Sequence, residues 1–182
     1  NLIGLIKQNN THLLHLFDDI VSMSKLEARG GEVLNKSVFE LKELFEDLKA
    51  KYKVAAEEKG LVLDIEKPEG MPTLNTDRDR LKEILNQYMN NAVKFTAAGS
   101  IRLGYDKLPS SLRIWVRDTG KGIPADKCND RLFERFVKVD DFVAGTGLGL
   151  SICRSLADLL GGKVGVESVY QQGSTFWVEL PY

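Results

Sequence analysis

The chain has 182 residues, enough for one good-sized domain and an appendage. Its hydrophobic fraction of 43% and charged fraction of 28% are those of an ordinary soluble protein. A net charge of −1 gives no indication of nucleic acid or an anionic membrane as a partner. Cys128 and Cys153 are too few and too far apart for a disulfide framework or a zinc site, which favours a reduced, cytosolic setting.

The chain begins with Asn1, and we therefore expect it to be a fragment of a longer protein. No apolar run approaches the roughly 20 residues that span a bilayer. We expect a cytoplasmic domain, and the sequence leaves open whether the parent protein is anchored in a membrane.

Residues 2–28 are predicted to form one long helix, on the order of 40 Å at the rise of an α-helix. Ile6, Leu13 and Ile20 recur every seven residues along it. A single amphipathic helix of this length needs a partner to cover its apolar face. The pattern is typical of one helix of a helical bundle.

A second helix is predicted after residues Ser37 to Glu40, which have the pattern of a capping box. Gly60 should end that helix. Residues 61–65 are predicted to be a strand, and residues 73–76 a second, shorter strand. The apolar positions of the predicted helix are Leu41, Leu44, Phe45, Leu48 and Tyr52.

A third helix is predicted from near Asp77 to Phe95, followed by a hairpin of two strands, at residues 100–107 and 112–118. Residues 124–146 lack periodicity and are predicted to be a lid. A last helix at residues 148–160 precedes two final strands. The predicted fold is therefore an α/β (α+β) two-layer sandwich, a mixed sheet with helices on one face, preceded by one long bundle helix.

Asp118 ends one of these strands and is followed by Gly120 and Gly122. Glycines beside it remove side chains, so that a flat ring can approach the backbone. A carboxylate that only accepts hydrogen bonds suits the exocyclic amine of adenine. The alternative is an ordinary turn that closes a strand.

Gly145, Gly147 and Gly149 precede the last predicted helix. Free N–H groups at a helix start form a site for phosphates. The dinucleotide fingerprint would need Gly where Leu150 stands, and no Gly-Lys-Ser/Thr triplet completes a Walker loop. A flexible hinge explains three alternating glycines only poorly.

Asn91 lies beside the apolar stripe of the third helix, and its amide oxygen could ligate Mg²⁺. Lys94, three residues later, could reach a phosphate from nearly the same face. Taken alone, the two residues are better explained as a solvated Asn and Lys near a helix end.

In combination and in order, these residues resemble the N, G1, F, G2 and G3 boxes of sensor histidine kinases. The resemblance covers nearly the whole chain. It implies the Bergerat ATP-binding fold (GHKL), shared with gyrase, the ninety-kilodalton heat-shock chaperone and mismatch-repair ATPases. It also implies that residues 1–30 are the second helix of a dimerisation and phosphoacceptor hairpin, and that residues 31–182 are the ATP-binding catalytic domain.

The resemblance assigns roles to individual residues. Asn91 would be the Mg²⁺ ligand, Lys94 would contact phosphate and Asp118 would bind the adenine amine. The remaining residues would line the adenine pocket (Phe95, Gly120, Gly122, Ile123, Thr175), the lid (Phe133, Arg135, Phe136, with Lys138 as a second cation) and the phosphate loop (Gly145, Thr146, Gly147, Leu148, Gly149).

Such a kinase needs a histidine acceptor, and only His12 and His15 are present. In the family the acceptor is followed by an acidic residue and then by proline, whereas both histidines here are followed by leucine. We therefore expect the acceptor to lie on a bundle helix absent from this fragment, which should be unable to phosphorylate itself. The resemblance implies relay to an Asp of a response-regulator receiver domain, and a homodimer in the intact protein.

Two alternatives remain, a GHKL-type ATPase and a catalytically dead nucleotide-binding or dimerisation module. Related ATPases carry a Glu four residues before the metal-binding Asn, where this chain has Gln87, and a neutral amide cannot act as a general base. Kinases usually have Asn there, so Gln87 departs from their pattern too. A catalytically dead nucleotide-binding or dimerisation module is the second alternative, because the lid is short for the family.

Overall fold

The computed structural model describes residues 6, 10, 13–14, 16–21, 24, 33–67, 69–139 and 146–181. Residues 16–21 are helical, as predicted, whereas much of the predicted helix 2–28 lies outside the described residues. His12, His15 and Gly145 lie outside them as well. Within the described part of the chain, no helix has the length and apolar character needed to cross a membrane.

A small antiparallel sheet pairs β1 (Lys36–Glu40) with β3 (Thr73–Asp77), so that Phe39 lies opposite Leu74. The predicted capping box is wrong, because residues 37–40 belong to this strand. Helix α1 (Leu41–Glu58) begins after Glu40, whose side chain makes no capping hydrogen bond. The N–H of Leu41 instead donates to the carbonyl oxygen of Pro72 at 3.1 Å. Main-chain pairing across the sheet therefore overrides the local helix-start signal.

The predicted second and third helices are confirmed in their position and in their buried faces. Helix α1 buries the predicted apolar positions and ends before Gly60, which has a positive φ of 67°. Helix α2 (Arg78–Phe95) begins after Asp77, whose carboxylate accepts a hydrogen bond from the N–H of Arg80 at 3.1 Å. It ends because Thr96 is extended.

In the described part of the chain, the main sheet has five strands, in the order β2-β4-β5-β7-β6. Strand β2 (Val62–Ile65) runs parallel to β4 (Ser100–Lys107), and the other neighbours are antiparallel. The mixed sheet and the predicted hairpin of β4 and β5 (Ser111–Asp118) are thus confirmed. Helix α3 (Gly149–Leu159) precedes the final pair, β6 (Lys163–Val169) and β7 (Gly173–Pro181).

The three helices pack on one face of this sheet and form the core with its inward-facing side chains. The hydroxyl of fully buried Tyr88 on α2 donates to the carbonyl oxygen of Trp177 on β7 at 3.0 Å. This packing brings the end of α2, the end of β5 and the start of α3 to one edge of the domain. The predicted residues Asn91, Asp118 and Gly149 belong to these three segments.

Candidate functional site

Asp118 is the last residue of β5, and its side chain is only 6% exposed. Its Oδ1 accepts a hydrogen bond of 2.8 Å from the N–H of Gly120. Burial raises the pKa of Asp118, and the N–H groups of Gly120 and Ser174 lower it by a smaller amount. The carboxylate is therefore held in a fixed position, in surroundings that favour a hydrogen-bond donor as a neighbour.

The two glycines after Asp118 allow close packing of the protein's own backbone. A Cβ on Gly120 would lie 2.4 Å from the carbonyl oxygen of Phe95. Gly122 has a positive φ of 64°, and a Cβ there would lie 2.1 Å from the carbonyl oxygen of Val169. Both positions exclude a side chain, and they fix the segment after Asp118 against the end of α2 and the end of β6.

Ile123 follows this segment and is 7% exposed. Its N–H donates to the hydroxyl of Ser168 at 2.8 Å, and Ser168 lies 2.8 Å from the hydroxyl of Ser174. Ser174 is opposite Asp118 in the register of β5 and β7. The two serines therefore connect the segment after β5, the end of β6 and the start of β7, close to the carboxylate of Asp118.

The structure does not bring the side chain of Thr175 to the face of the sheet on which Asp118 lies, and its predicted role at the adenine end stays a prediction. Its Oγ1 accepts a hydrogen bond from Arg117 Nε at 3.2 Å, on the sheet face that points away from the helices. Side chains alternate between faces along a strand, so Ser174 points towards Asp118 and Thr175 does not. The alternation of buried Phe176 and Val178 could have identified Ser174 from the sequence.

Two lysine ammonium groups lie close to the ring of Phe95. The Nζ atom of Lys94 is 5.0 Å from the ring centroid, and that of Lys121 is 5.1 Å from it. The pKa of Lys94 is lowered, first by burial and then by the charges of Lys138 and Lys121. An anion placed among these three lysines would offset both the cost of burying the charge of Lys94 and its repulsion by the other two lysines. Lys121 was missed by the sequence reasoning, although it lies between the two glycines.

Asn91 is half-buried near the end of α2. Among the residues that the structure describes, none is hydrogen-bonded to its side chain. An amide oxygen is a ligand that a hard cation such as Mg²⁺ accepts. The residue fits the predicted metal role on this criterion, and that role stays a prediction.

The described part of the lid, residues 124–139 and 146, contains a short 3₁₀ helix, Asp130–Phe133, in which Phe133 is buried. Phe136 is 71% exposed and has a positive φ of 64°. Its N–H donates to the carbonyl oxygen of Gly147 at 2.8 Å. The lid is thus attached directly to the predicted phosphate loop, and the predicted lid cations Arg135 and Lys138 are exposed in this segment.

The described part of the phosphate loop is residues 146–149. Gly147 has a positive φ of 70°, and Leu148 is buried. The hydroxyl of Thr146 accepts a hydrogen bond from the N–H of Leu148 at 2.9 Å, and α3 begins at Gly149. The structure therefore places four of the five predicted loop residues at the start of a helix.

The same fold occurs in known proteins that resemble this chain. The family model for the histidine kinase-, DNA gyrase B- and HSP90-like ATPases matches residues 76–182. The autoinducer 2 sensor kinase/phosphatase LuxQ of Vibrio parahaemolyticus is 38% identical over 192 residues, which cover 100% of this chain and 22% of that protein. This chain thus spans about a fifth of the length of that relative.

Two solved structures share the fold over nearly the whole chain. Full-length ShkA in complex with AMPPNP superposes with a TM-score of 0.86 at 33% identity, covering 98% of this chain and 38% of ShkA. The histidine kinase ThkA in complex with the response regulator protein TrrA superposes with a TM-score of 0.76 at 25% identity, covering 94% of this chain and 48% of ThkA.

Proposed function

Since this chain belongs to the family of histidine kinase-, DNA gyrase B- and HSP90-like ATPases, we propose that it binds ATP with Mg²⁺ and is the catalytic part of a sensor histidine kinase. One structural arrangement supports this proposal more than any other. Buried Asp118 is hydrogen-bonded to the N–H of Gly120, and the next residue, Lys121, donates its N–H to the carbonyl oxygen of Phe95. The ammonium groups of Lys94 and Lys121 lie about 5 Å from the ring of Phe95, and the charge of Lys138 acts on Lys94. A ligand with an amine at one end and several negative charges at the other fits this arrangement, and ATP is such a ligand.

In the proposed complex the carboxylate of Asp118 accepts a hydrogen bond from the adenine amine. The lysines and the N–H groups at the start of α3 hold the phosphates. Asn91 would hold Mg²⁺, which supplies charge neutralisation at the phosphate oxygens during transfer. Phosphoryl transfer depends mainly on positioning and charge stabilisation, and these residues provide both.

The acceptor in this proposal is a histidine elsewhere in the intact protein, on the first helix of the dimerisation hairpin. His12 and His15 lack the acidic residue that follows the acceptor in the family. The product would pass its phosphoryl group to an aspartate of a response regulator. The structural neighbour ThkA was solved with a response regulator, TrrA, which supports a partner of that class.

The described residues of the N-terminal segment support a dimerisation helix. Five of its described apolar side chains are each exposed by more than half of their surface, whereas Leu16 and Val21 are partly buried. Such a stripe would be covered by a second helix and by the other copy in a homodimer. The exposed residues are Ile6, Leu13, Leu14, Phe17 and Ile20.

The test is calorimetric titration of the chain with ATP, with and without Mg²⁺, followed by incubation with a separately supplied hairpin domain and labelled ATP. We expect Mg²⁺-dependent binding, transfer of label to the hairpin domain, and little release of free phosphate. Absence of ATP binding by the folded chain would favour the catalytically dead nucleotide-binding or dimerisation module. Steady release of phosphate would favour the ATPase, and acid-labile label on His12 or His15 would contradict the proposed acceptor.

A further inference from the structure

One carboxylate of the N-terminal helix reaches the candidate phosphate loop. Oδ2 of Asp19 accepts a hydrogen bond of 2.8 Å from the hydroxyl of Thr146, 127 positions later in the chain. Oδ1 of the same residue accepts a hydrogen bond of 3.3 Å from Nε2 of Gln87 on α2. Both oxygens of Asp19 are therefore engaged, one by the loop and one by the helix that carries Asn91.

This contact uses donors that a phosphate would otherwise receive. Thr146 has a single hydroxyl proton, and that proton is directed to Asp19. The oxygen of the same hydroxyl accepts from the N–H of Leu148 at 2.9 Å. Asp19 thus occupies the side-chain donor of the loop, and the Thr146 hydroxyl occupies one of its backbone donors.

Gln87 completes the arrangement. A Cβ on Gly149 would lie 2.7 Å from its Oε1, so its amide lies against the first residue of α3. Its Nε2 points the other way, to Asp19. The residue that departs from the kinase pattern therefore links the N-terminal helix to the start of the phosphate-binding helix.

We propose that Asp19, on the N-terminal helix, weakens the binding of nucleotides at the candidate site. The weakening should increase with the number of phosphates on the nucleotide. This inference rests on the proposed binding of ATP. A carboxylate at the phosphate loop repels an incoming polyphosphate and competes with it for the Thr146 hydroxyl. Adenosine has no phosphate and is indifferent to Asp19.

The effect is reciprocal, because coupling between two binding events is a single free energy. If the docked helix weakens the binding of ATP, then bound ATP weakens the docking of the helix by the same factor. Occupancy of the site is thereby communicated to the helix that contains residues 16–21.

The first experiment needs no nucleotide. Amide hydrogen exchange is measured in the apo protein for wild type and Asp19→Ala, with Asp18→Ala as the matched control, since Asp18 is the adjacent, exposed acid. We expect faster exchange at residues 146–149 and 16–21 in Asp19→Ala only. Unchanged exchange in that variant, or equal changes in both variants, would overturn the contact as a structural link.

The second experiment measures the dissociation constants of ATP, ADP and adenosine for the same three proteins and for Asp19→Asn, which removes the charge and keeps an acceptor oxygen. We expect Asp19→Ala and Asp19→Asn to bind ATP roughly fivefold more tightly, at the low end of typical coupling between sites. ADP should gain less and adenosine nothing.

The outcomes separate the two proposals. Nucleotide binding by wild type, without a charge-dependent gain in the Asp19 variants, overturns the inference alone. Equal gains for all three ligands overturn it too. A folded wild type that binds none of the three ligands overturns the proposed function together with the inference.

Discussion

The hydroxyl of Tyr52 on α1 lies 3.0 Å from Oδ1 of Asn90 on α2. The same hydroxyl lies 3.1 Å from the carbonyl oxygen of Asn86, one helical turn earlier. Asn90 therefore belongs to the contact between two helices, whereas the neighbouring side chain of Asn91 projects in another direction around α2. Two adjacent residues of the same type thus have separable roles, which makes them a matched pair for experiment.

We expect Asn91→Ala to lose about tenfold or more in Mg²⁺-dependent affinity for ATP and to keep its stability, because the amide oxygen is the proposed metal ligand. Asn90→Ala should bind ATP normally and lose about 1 kcal/mol of unfolding free energy, since a hydrogen bond between helices is removed. Calorimetric titration and urea unfolding measure the two quantities. If Asn90→Ala lost the Mg²⁺ dependence instead, the metal role of Asn91 would be wrong.

Asp118→Asn should weaken ATP binding about 10- to 100-fold, the value of a hydrogen bond to a charged acceptor. It should not lower the unfolding free energy at neutral pH. The raised pKa of Asp118 means that the folded protein holds a proton on this group more tightly than the unfolded chain does, so the ionised form opposes folding. A large loss of stability in this variant would contradict the proposed cause of the shift.

The same pKa shift predicts a pH dependence of binding. Because its pKa is raised, Asp118 takes up a proton at a higher pH than an ordinary aspartate does. The protonated group no longer favours a hydrogen-bond donor as its neighbour. The ratio of the ATP affinities of wild type and Asp118→Asn should therefore decrease on acidification while both proteins remain folded. The protonation of ATP itself affects both proteins equally and cancels in this ratio. A ratio that did not change with pH would exclude the carboxylate of Asp118 as the titrating group.

Lys94→Met should weaken ATP binding strongly and adenosine binding little, because the lysine is placed for the phosphates. The pKa of Lys94 is lowered, so its charge is lost at a lower pH than that of an ordinary lysine. Wild-type affinity for ATP should accordingly decline on the alkaline side below the usual lysine range, and this decline should be absent in Lys94→Met. Lys163→Met, which changes an exposed lysine paired with Glu179, is the control and should behave as wild type.

The elements with strong local signals were predictable from the sequence. The apolar positions of α1 and α2 recur at helical spacing, and Gly60 ends α1 in a conformation that glycine adopts readily. The position of Asp118 followed equally from the strand before it. In contrast, β1 was missed because its pairing with β3 is made between segments more than thirty residues apart, a contact that no local pattern contains.

The parts of the site that were not predicted depend on contacts across the fold. Asp19 and Thr146 are 127 positions apart, and nothing in either segment indicates the other. Lys121 lies in a turn, where spacing does not determine the direction of a side chain, and only the folded chain brings it to Phe95. The choice between Ser174 and Thr175 differs from these cases, since strand alternation was sufficient to decide it.

We expect Gly122 to be required both for its positive φ and for its lack of a side chain. Gly122 and Gly60 have nearly equal φ values of 64° and 67°. A Cβ on Gly60 meets nothing within 4 Å, whereas one on Gly122 lies 2.1 Å from the carbonyl oxygen of Val169. Gly60→Ala should therefore lose only the roughly 1 kcal/mol of conformational strain.

Gly122→Ala should lose about 2–4 kcal/mol, because a clash with backbone cannot be relieved by a change of rotamer. It should also weaken nucleotide binding, because the segment that carries Ile123 would move away from Ser168. Urea unfolding of the two variants measures the difference in stability at nearly constant backbone strain. Equal losses in the two variants would show that β6 yields to the added methyl group, and that the glycine is needed only for its positive φ.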